Sequence, residues 1–473
     1  MVNQLDYNLS RKLEFQRNLF LFDNKNLLDL ELESFSKNTQ KHLKFLLIDL
    51  YASSKESKDQ LLSVSMSKRG YKAKSRYNPN QISSVTINAV KILRDKKLID
   101  FFPGFFDSKR RISRLSRIAP QKHLTNYFQN FKFSPKELNN IKSKEYIFLY
   151  NKDNCLEEYE DNFETHELRE VVKNYNSLLS KTFFDIPCLE KGHIQRGDNS
   201  KVIISDYCKN SYVLFQNNIN ECTSFVGNWW SKLDLMSIQK YSNHMIINDS
   251  STSFIDLSDL FLIFLQKKFK LGPVEFRLES LKRKFEFLTD NSQIYMTIEK
   301  LINNKNFASF LKSFWNIRKK IGIDESVKER DLKRLINFLY EIIPDSKNLF
   351  FSRNFFSWGI ETSKVFLKLL KNFSSMNINI PIIKINDRFY YPTSLESNVL
   401  EYFESIIERE LKKKIKIRTK KCYQYEASKS KSIFKKLVIN NLKYSIRYKN
   451  NKKNFISLMK QKNQLTNHPI QKN

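Results

Sequence analysis

The sequence predicts an α+β fold, and three observations support this prediction. Its 473 residues are enough for about two to three domains with ample cores. Hydrophobic residues make up 41% of the chain and aromatic residues 14%, so the chain can fill these cores. Apolar residues recur with helical spacing in some segments and cluster elsewhere in short runs between turn residues. Helices and short strands are therefore both expected along the chain.

Residues 1–140 are predicted to form a helical segment followed by a winged-helix-like unit. Four elements are expected in this order after the helical segment: a helix through Val85–Leu93 with Ser83 or Ser84 as its N-cap, an extended segment over Leu98–Phe102, a turn at Pro103-Gly104, and a strand over Ile112–Ile118. Helix, strand, basic turn and strand is the order of a winged helix. In such a unit the helix lies on duplex nucleic acid and the wing brings cations to phosphates.

The predicted wing is rich in cations, namely Lys109, Arg110, Arg111, Arg114 and Arg117. If the segment is a single strand, Arg114 and Ser116 point to the face opposite Leu115 and Arg117. A solvated hairpin within a small α+β domain is the alternative. The density of cations favours contact with nucleic acid.

Residues 141–224 are interpreted as a connector. A strand is predicted over Tyr146–Tyr150, and a helix follows through Leu168–Leu179. The acids between them suit a solvated loop and the first turn of that helix, where negative charge is favourable.

Residues 225–410 contain two acids at the ends of predicted strands. Met245–Ile247 and Thr252–Ile255 flank a polar turn, which indicates a hairpin, and the second run ends at Asp256. A helical apolar stripe begins at Leu257 and ends at Leu265. Asp256 is thus expected either to cap this helix or to hold a divalent metal ion.

The second acid, Asp387, lies in a predicted turn. Ile378–Ile385 is an apolar strand, Asn386-Asp387 is a turn pair, and Arg388–Tyr391 is a returning strand. An amphipathic helix is predicted after Pro392. An acid therefore stands at the tip of a hairpin that leads into a helix.

The strand and helix around Asp256 resemble motif A of the family A DNA polymerases, and the hairpin at Asp387 resembles motif C. Gly227–Trp230, together with the first hairpin, is similar to a group of plasmid and phage replication-type proteins. The resemblance implies a polymerase-like palm, an antiparallel sheet surrounded by helices. It also implies that Asp256 and Asp387 bind Mg²⁺ and catalyse nucleotidyl transfer from a dNTP. By the same resemblance Arg277, Lys282 and Lys284 would bind the nucleotide, although a helix with a basic outer face is the alternative.

Two residues depart from the motif C pattern. Asn386 stands where the family has His, and Arg388 places a cation beside the expected metal site. These departures favour the second hypothesis for this chain, a non-catalytic replication initiator or regulatory protein that binds DNA.

The formal net charge of +32 predicts a polyanionic partner, most simply nucleic acid. Residues 411–473 form a basic C-terminal tail, whose first cations are Lys412, Lys413, Lys414, Lys416 and Arg418. Aromatic residues are interleaved with later cations, which is typical of a clamp on nucleic acid. Codon bias in an AT-rich genome is the alternative explanation of the charge, and the stretch after Lys452 is expected to be solvated and partly disordered.

Several other classes of protein are disfavoured. No apolar run is long enough to span a membrane, and the first residues lack a signal-peptide pattern, so a soluble cytoplasmic protein without a membrane partner is expected. The five cysteines include no CxxC pair and are expected to be free thiols. Neither a Walker loop nor a GxGxxG motif occurs.

Overall fold

The computed structural model confirms an α+β protein. It describes residues 9–466 apart from 110–111, 142–143, 154, 196–200, 206–209, 217–221, 228–229, 233–240, 242–243, 272–277, 320, 344–345 and 423–444. Within these residues, helices alternate with small mixed and antiparallel sheets. No helix in the described part of the chain is long and apolar enough to cross a membrane.

Buried apolar side chains form two large clusters. The first extends from Leu13 to Leu138, and the second from Ile147 to Cys422. Polar contacts join the two: Gln16 Nε2 donates to the Glu145 carbonyl at 3.2 Å, and Tyr77 Oη donates to the Glu157 carbonyl at 2.7 Å. The chain therefore builds two cores that share a polar boundary.

The first core is made by helices that pack on a four-stranded sheet. The helices are α1 (Asn24–Asp29), α2 (Lys37–Glu56), α3 (Val85–Asp95), α4 (Lys122–Tyr127) and α5 (Pro135–Leu138). The sheet has the order β1-β2-β6-β3, with β1 (Ser10–Lys12), β2 (Leu61–Val64), β3 (Ile99–Phe102) and β6 (Ser116–Pro120). Thirteen of the twenty residues of α2 are buried, because both the sheet and α3 pack on it.

A long two-stranded hairpin extends from this sheet. β4 (Phe105–Asp107) pairs with β5 (Ile112–Arg114). This pairing continues the register of β3 with β6, because Phe102 is opposite Arg117 and Phe105 is opposite Arg114. Pro103-Gly104 was predicted as the turn, and this is wrong: it interrupts one strand within the hairpin. Proline has no N–H for the ladder, and a Cβ on Gly104 would lie 2.3 Å from the Arg114 carbonyl oxygen.

The predicted single strand over Ile112–Ile118 is also divided. Leu115 separates β5 from β6 and is 44% exposed, while Ser116 is buried and its Oγ accepts a hydrogen bond from Gly104 N at 3.0 Å. The burial of Ser116 beside the exposed Leu115 agrees with their expected opposite faces, although the strand is divided between them.

The second core includes a mixed sheet of order β13-β12-β7-β8. Its strands are β7 (Ile147–Tyr150), β8 (Leu156–Glu157), β12 (Ser211–Gln216) and β13 (Cys222–Gly227). Helix α6 (Phe163–Ser180) contacts β12. Two short ladders lie nearby: β9 (Phe184–Asp185) pairs with β14 (Ile246–Ile247), and β10 (His193–Gln195) pairs with β11 (Lys201–Ile203).

A four-stranded antiparallel sheet, of order β16-β17-β15-β18, positions both predicted acids. Its strands are β15 (Thr252–Asp256), β16 (Ile383–Ile385), β17 (Arg388–Pro392) and β18 (Thr419–Lys421). The predicted hairpin of 245–255 is wrong, although Asn248 and Asp249 do form a tight turn with positive φ. β14 pairs with β9 instead, because β17 and β18 occupy both edges of β15.

Nine helices of the described chain complete the second part of the molecule. They are α7 (Phe261–Phe269), α8 (Leu278–Lys284), α9 (Asn291–Asn303), α10 (Phe307–Ile317), α11 (Glu329–Ile342), α12 (Ser346–Leu349), α13 (Trp358–Ser375), α14 (Glu396–Leu411) and α15 (Ile446–Thr466).

The glycine and tryptophan at the start of the 225–410 region serve packing. Trp230 is fully buried against Phe184, with ring centroids 5.2 Å apart. A Cβ on Gly227 would lie 1.8 Å from the indole, so only glycine leaves room for it.

Much of the C-terminal tail is ordered. β18 is a strand of the central sheet, and α15 packs through Tyr448 and Phe455 on Phe183. The stretch after Lys452, expected to be solvated and partly disordered, continues α15 to Thr466, and near its start Lys452 pairs with Asp249 at 2.5 Å. The tail aromatics between 423 and 444 lie outside the described residues.

Candidate functional site

Asp256 ends β15 and begins the helical segment that follows. Its Oδ1 accepts a hydrogen bond from Ser258 N at 3.0 Å, so it caps the 3₁₀ turn Leu257–Leu260 that leads into α7. Leu257, Phe261 and Leu265 are fully buried, and they fix this junction in the core. The capping role expected of Asp256 is therefore present in the structure.

Asp387 lies beside Asp256 on the neighbouring strand pair. It follows Asn386, whose φ of 54° forms the tight turn between β16 and β17. The Asp387 carbonyl accepts from Leu257 N at 3.1 Å, and Asp256 is opposite Arg388 in the ladder. The two acids, 131 positions apart in the sequence numbering, are thus brought to one end of one antiparallel sheet.

A third acid and one arginine complete this group, which we call the acid cluster: Asp256, Asp290, Asp387 and Arg388. Arg388 Nε lies 3.4 Å from Asp256 Oδ2, and its Nη2 lies 3.4 Å from Asp290 Oδ2. Lys420 of β18 approaches Asp256 Oδ2 at 3.7 Å from the other side. The arginine therefore bridges two acids that the chain places far apart.

Burial makes Asp387 the unusual member of the cluster. Its side chain is buried, and among the described residues its Oδ2 has no hydrogen-bond partner. Burial and the negative charge of Asp256 raise the pKa of Asp387 to about 7, while Arg388 acts to lower it. Asp387 is consequently protonated over a large part of the range below neutral pH.

The electrostatic field of the cluster extends to its neighbours. Burial alone would lower the pKa of Arg388, but Tyr390 and the three carboxylates outweigh burial and raise it. Burial, followed by the charge of Asp387, raises the pKa of Tyr295 on α9 well above its ordinary value. At neutral pH Arg388 is therefore cationic and Tyr295 neutral.

The carboxylates of Asp256 and Asp290 are oriented towards the Arg388 guanidinium rather than towards a shared site for two magnesium ions. Asp256 Oδ2 is shared between Arg388 and Lys420, and Asp290 Oδ2 faces Arg388. Among the residues described, no group of three or more His, Cys, Asp or Glu side chains is placed to hold a metal ion. In this arrangement the Arg388 guanidinium offsets the negative charge of Asp256 and Asp290.

Lys284, one of the three residues predicted to bind a nucleotide, contacts an aromatic ring beside a different cavity from the acid cluster. Its ammonium lies 3.6 Å from the centroid of the Phe338 ring, beside a cavity lined by acids such as Asp324 and Asp331. Lys282 lies on the same helix, α8, and is partly buried, whereas Arg277 lies outside the described residues.

The β4–β5 hairpin gathers cations and exposed aromatic rings. Lys109 is exposed near its tip, and the Arg114 guanidinium lies 5.1 Å from the centroid of the Phe105 ring. Phe106 is 74% exposed. Arg117 is partly buried and donates to the Leu115 carbonyl at 2.7 Å, while Arg110 and Arg111 lie outside the described residues.

The first cations of the tail lie on the surface between α14 and β18. All five are exposed: Lys412, Lys413, Lys414, Lys416 and Arg418. Ile417, between Lys416 and Arg418, is buried, and its backbone N–H donates to the Glu404 carboxylate at 3.1 Å. This backbone contact anchors the cationic segment to α14.

Sequence reasoning missed Asp290 as a member of the acid cluster. A local signal for its position was available, since Asp290 and Gln293 form a capping box at the start of α9. That signal predicts a helix start, but it cannot predict that this helix start meets Arg388.

Comparison of the chain with protein-family models, with curated proteins and with solved structures finds no match.

Proposed function

We propose that this chain is a nucleic-acid-binding protein that contacts a duplex through residues 61–120, a winged-helix-like unit. The order of elements supports the proposal: β2 precedes α3, and β3 and β6 then form a hairpin whose end is β4 and β5. β6 lies between β2 and β3 in the sheet, so the β4–β5 hairpin extends beyond it in the position of a wing.

α3 would be the helix that enters a groove. Ala89, Val90 and Leu93 are buried on its inner face. Asn88 and Lys91 are exposed three positions apart, which places them on one outer face of the helix. An amide and a cation on that face suit contacts with base edges and phosphates.

The observation that carries the proposal is the exposed, cationic hairpin with Phe106 near its tip. Phe106 is 74% exposed and is not among the side chains of the first core, and the same hairpin carries Lys109 and Arg114. Cations neutralise phosphates, and an aromatic ring can stack on bases or insert at a base step. Both contacts are typical of a nucleic-acid-binding wing.

Duplex binding measured by fluorescence anisotropy across a salt series tests this proposal. Lys109→Gln/Arg114→Gln should weaken binding and reduce the slope of log K against log salt by about 0.9 for each lost phosphate contact. Lys305→Gln/Lys312→Gln is the matched control, because both lysines are exposed and distant in sequence from the hairpin. Equal slopes for the two double variants would refute the proposal.

The exposed tail cations are proposed as a second contact with the same nucleic acid. Lys412→Gln/Lys413→Gln/Lys414→Gln should lower the salt slope further without unfolding the protein. Deleting residues 411–473 is a poor test, because it would remove β18 from the central sheet and α15 from its contact with Phe183.

Magnesium-dependent nucleotidyl transfer is the second candidate function, and one observation favours it. Asp256 and Asp387 lie together at one end of the central sheet, and Asp387 has a buried oxygen without a partner among the described residues. Primer extension with dNTPs and Mg²⁺ tests it, with Asp256→Asn as the matched inactive variant. Equal extension by the wild type and this variant, or extension by neither, would eliminate this function.

A further inference from the structure

A cavity with a volume of about 650 Å³ lies between the two cores, apart from both the acid cluster and the β4–β5 hairpin. Its walls come from the end of α2, the segment around α5, the outer side of α6, and α15. A space of this volume is in the usual range for a small-molecule ligand such as a nucleotide.

The wall supplied by α15 is held firmly. Arg447 Nη2 lies 2.7 Å from Asp185 Oδ1, and Arg447 Nε donates to the Leu189 carbonyl at 2.8 Å. Tyr448 Oη donates to Asp249 at 2.8 Å. The cavity is therefore bounded by a docked helix rather than by a loose chain end.

The lining of the cavity is strongly cationic. Glu170 is its only acid among the described residues, against six cations: Lys55, Lys132, Lys136, Lys144, Arg169 and Lys173. Two of these have acidic partners, since Arg169 pairs with Asp161 at 2.6 Å and Lys173 pairs with Glu170 at 3.1 Å. The other four lysines form no ion pair within the described part of the chain.

Burial in the cavity wall disfavours the charged form of Lys144. Its ammonium donates to Asn139 Oδ1 at 3.1 Å and lies 5.7 Å from the centroid of the Tyr146 ring. Burial lowers the pKa of Lys144 to about 8, because the opposing charge of Glu14 only partly offsets the lost hydration and Arg17 adds a like charge. An anion in the cavity would supply the missing negative charge.

We propose that this cavity binds a phosphate-bearing ligand of nucleotide size, through the unpaired lysines Lys55, Lys132, Lys136 and Lys144. Phosphate oxygens accept several charge-assisted hydrogen bonds from lysines, and four lysines without an ion pair that line one cavity match a multiply charged phosphate group. The Tyr146 ring beside Lys144 offers an aromatic surface for a base. The ligand is either a free nucleotide or one unit of a nucleic-acid strand, and this site does not depend on the contact proposed for the β4–β5 hairpin.

Two fluorescent probes distinguish these sources on the full-length protein: a labelled nucleoside triphosphate and a labelled oligothymidylate. Lys132→Gln/Lys136→Gln removes two exposed lysines of the cavity, and Lys144→Gln removes the partly buried one. Each lost lysine–phosphate contact should weaken binding about tenfold. Lys305→Gln/Lys312→Gln again serves as the control, and thermal melts of each variant establish that it is folded.

Weaker binding of the triphosphate alone assigns the site to a free nucleotide, and weaker binding of the oligonucleotide alone or of both assigns it to a strand. Unchanged binding of both probes by the folded cavity variants, or an equal loss in the control variant, overturns the proposal. Duplex binding by the hairpin variant is a separate measurement, so failure there would leave the result for the cavity unaffected.

Discussion

Replacing Arg388 with methionine tests whether the acid cluster is a structural ion group or a latent metal site. Arg388 is 9% exposed and bridges Asp256 and Asp290, and Asp387 adds a third negative charge when it ionises. Methionine retains much of the volume but removes the cation. Removing one partner of a buried ion group costs about 3–5 kcal/mol, because the remaining charges stay buried without compensation.

The cost should depend on pH, and its direction follows from Asp387. Its pKa is raised from 3.8 to about 7, so the folded protein binds this proton more strongly than the unfolded chain. Stability from this group is therefore highest below pH 4 and falls as pH rises towards 7. Since Arg388 acts to lower that pKa, Arg388→Met should raise it further and should be most destabilising at about pH 8.

Thermal melts at acidic and alkaline pH, with and without millimolar Mg²⁺, measure this effect. For a core of this size, about 4 kcal/mol corresponds to a fall in Tm of about 10 °C. Arg409→Met is the matched control, because Arg409 is exposed and makes one hydrogen bond to the Ser405 carbonyl at 3.3 Å. Mg²⁺ should stabilise Arg388→Met and leave the wild-type Tm unchanged, since the guanidinium already neutralises the acids.

Two results would refute this reasoning. A Tm of Arg388→Met equal to that of Arg409→Met would mean that the ion group contributes nothing to stability. An equal rise in Tm with Mg²⁺ for the wild type and Arg388→Met would mean that a metal displaces the guanidinium, and it would favour nucleotidyl transfer.

Three further perturbations test other parts of the fold. Asp387→Asn removes the titrating group. The fall in wild-type stability between about pH 4 and pH 7 is about 4 kcal/mol, at about 1.4 kcal/mol per pH unit. Thermal melts of the variant across that range should show a flatter pH dependence. Gly227→Ala places a Cβ 1.8 Å from the Trp230 indole and should cost about 1–3 kcal/mol in urea denaturation; an unchanged midpoint would contradict the packing described. Asp49 is fully buried and pairs with Arg11 at 2.7 Å; burial opposes ionisation of Asp49, but its arginine partners outweigh burial and lower the pKa. Its contribution is present above the unfolded pKa of 3.8 and is lost as pH falls through the lower folded pKa, so Asp49→Asn should destabilise the protein at pH 7 and reduce its acid sensitivity.

Local patterns in the sequence were sufficient for several elements of the fold. The stripe from Leu257 to Leu265 is one buried face of the helical segment, because helical spacing can be recognised within a few turns. Asn386-Asp387 forms the predicted tight turn between two strands, because residues of this type tolerate positive φ. The presence of an acid at each of two strand ends followed from these local features alone.

Strand partners could not be determined in the same way. The sequence predicts that 245–255 forms a hairpin, but the strand ending at Asp256 pairs with residues more than a hundred positions later. A strand carries no local mark of its partner, because pairing is decided by which apolar faces are buried together. The interruption at Pro103-Gly104 was mistaken for a turn for a related reason, since the same residues serve turns and breaks within strands.

By itself, the sequence determined the α+β class, the helical stripe after Asp256, the turn at Asp387 and the cationic character of the chain. Only the tertiary structure decided that Asp290 meets Arg388, that Arg388 bridges two acids, and that four lysines without an ion pair line one cavity between the two cores. The physical reason is the range of the interactions. Helix periodicity, caps and turns depend on neighbouring residues, whereas ion groups and cavities depend on burial that brings distant segments together.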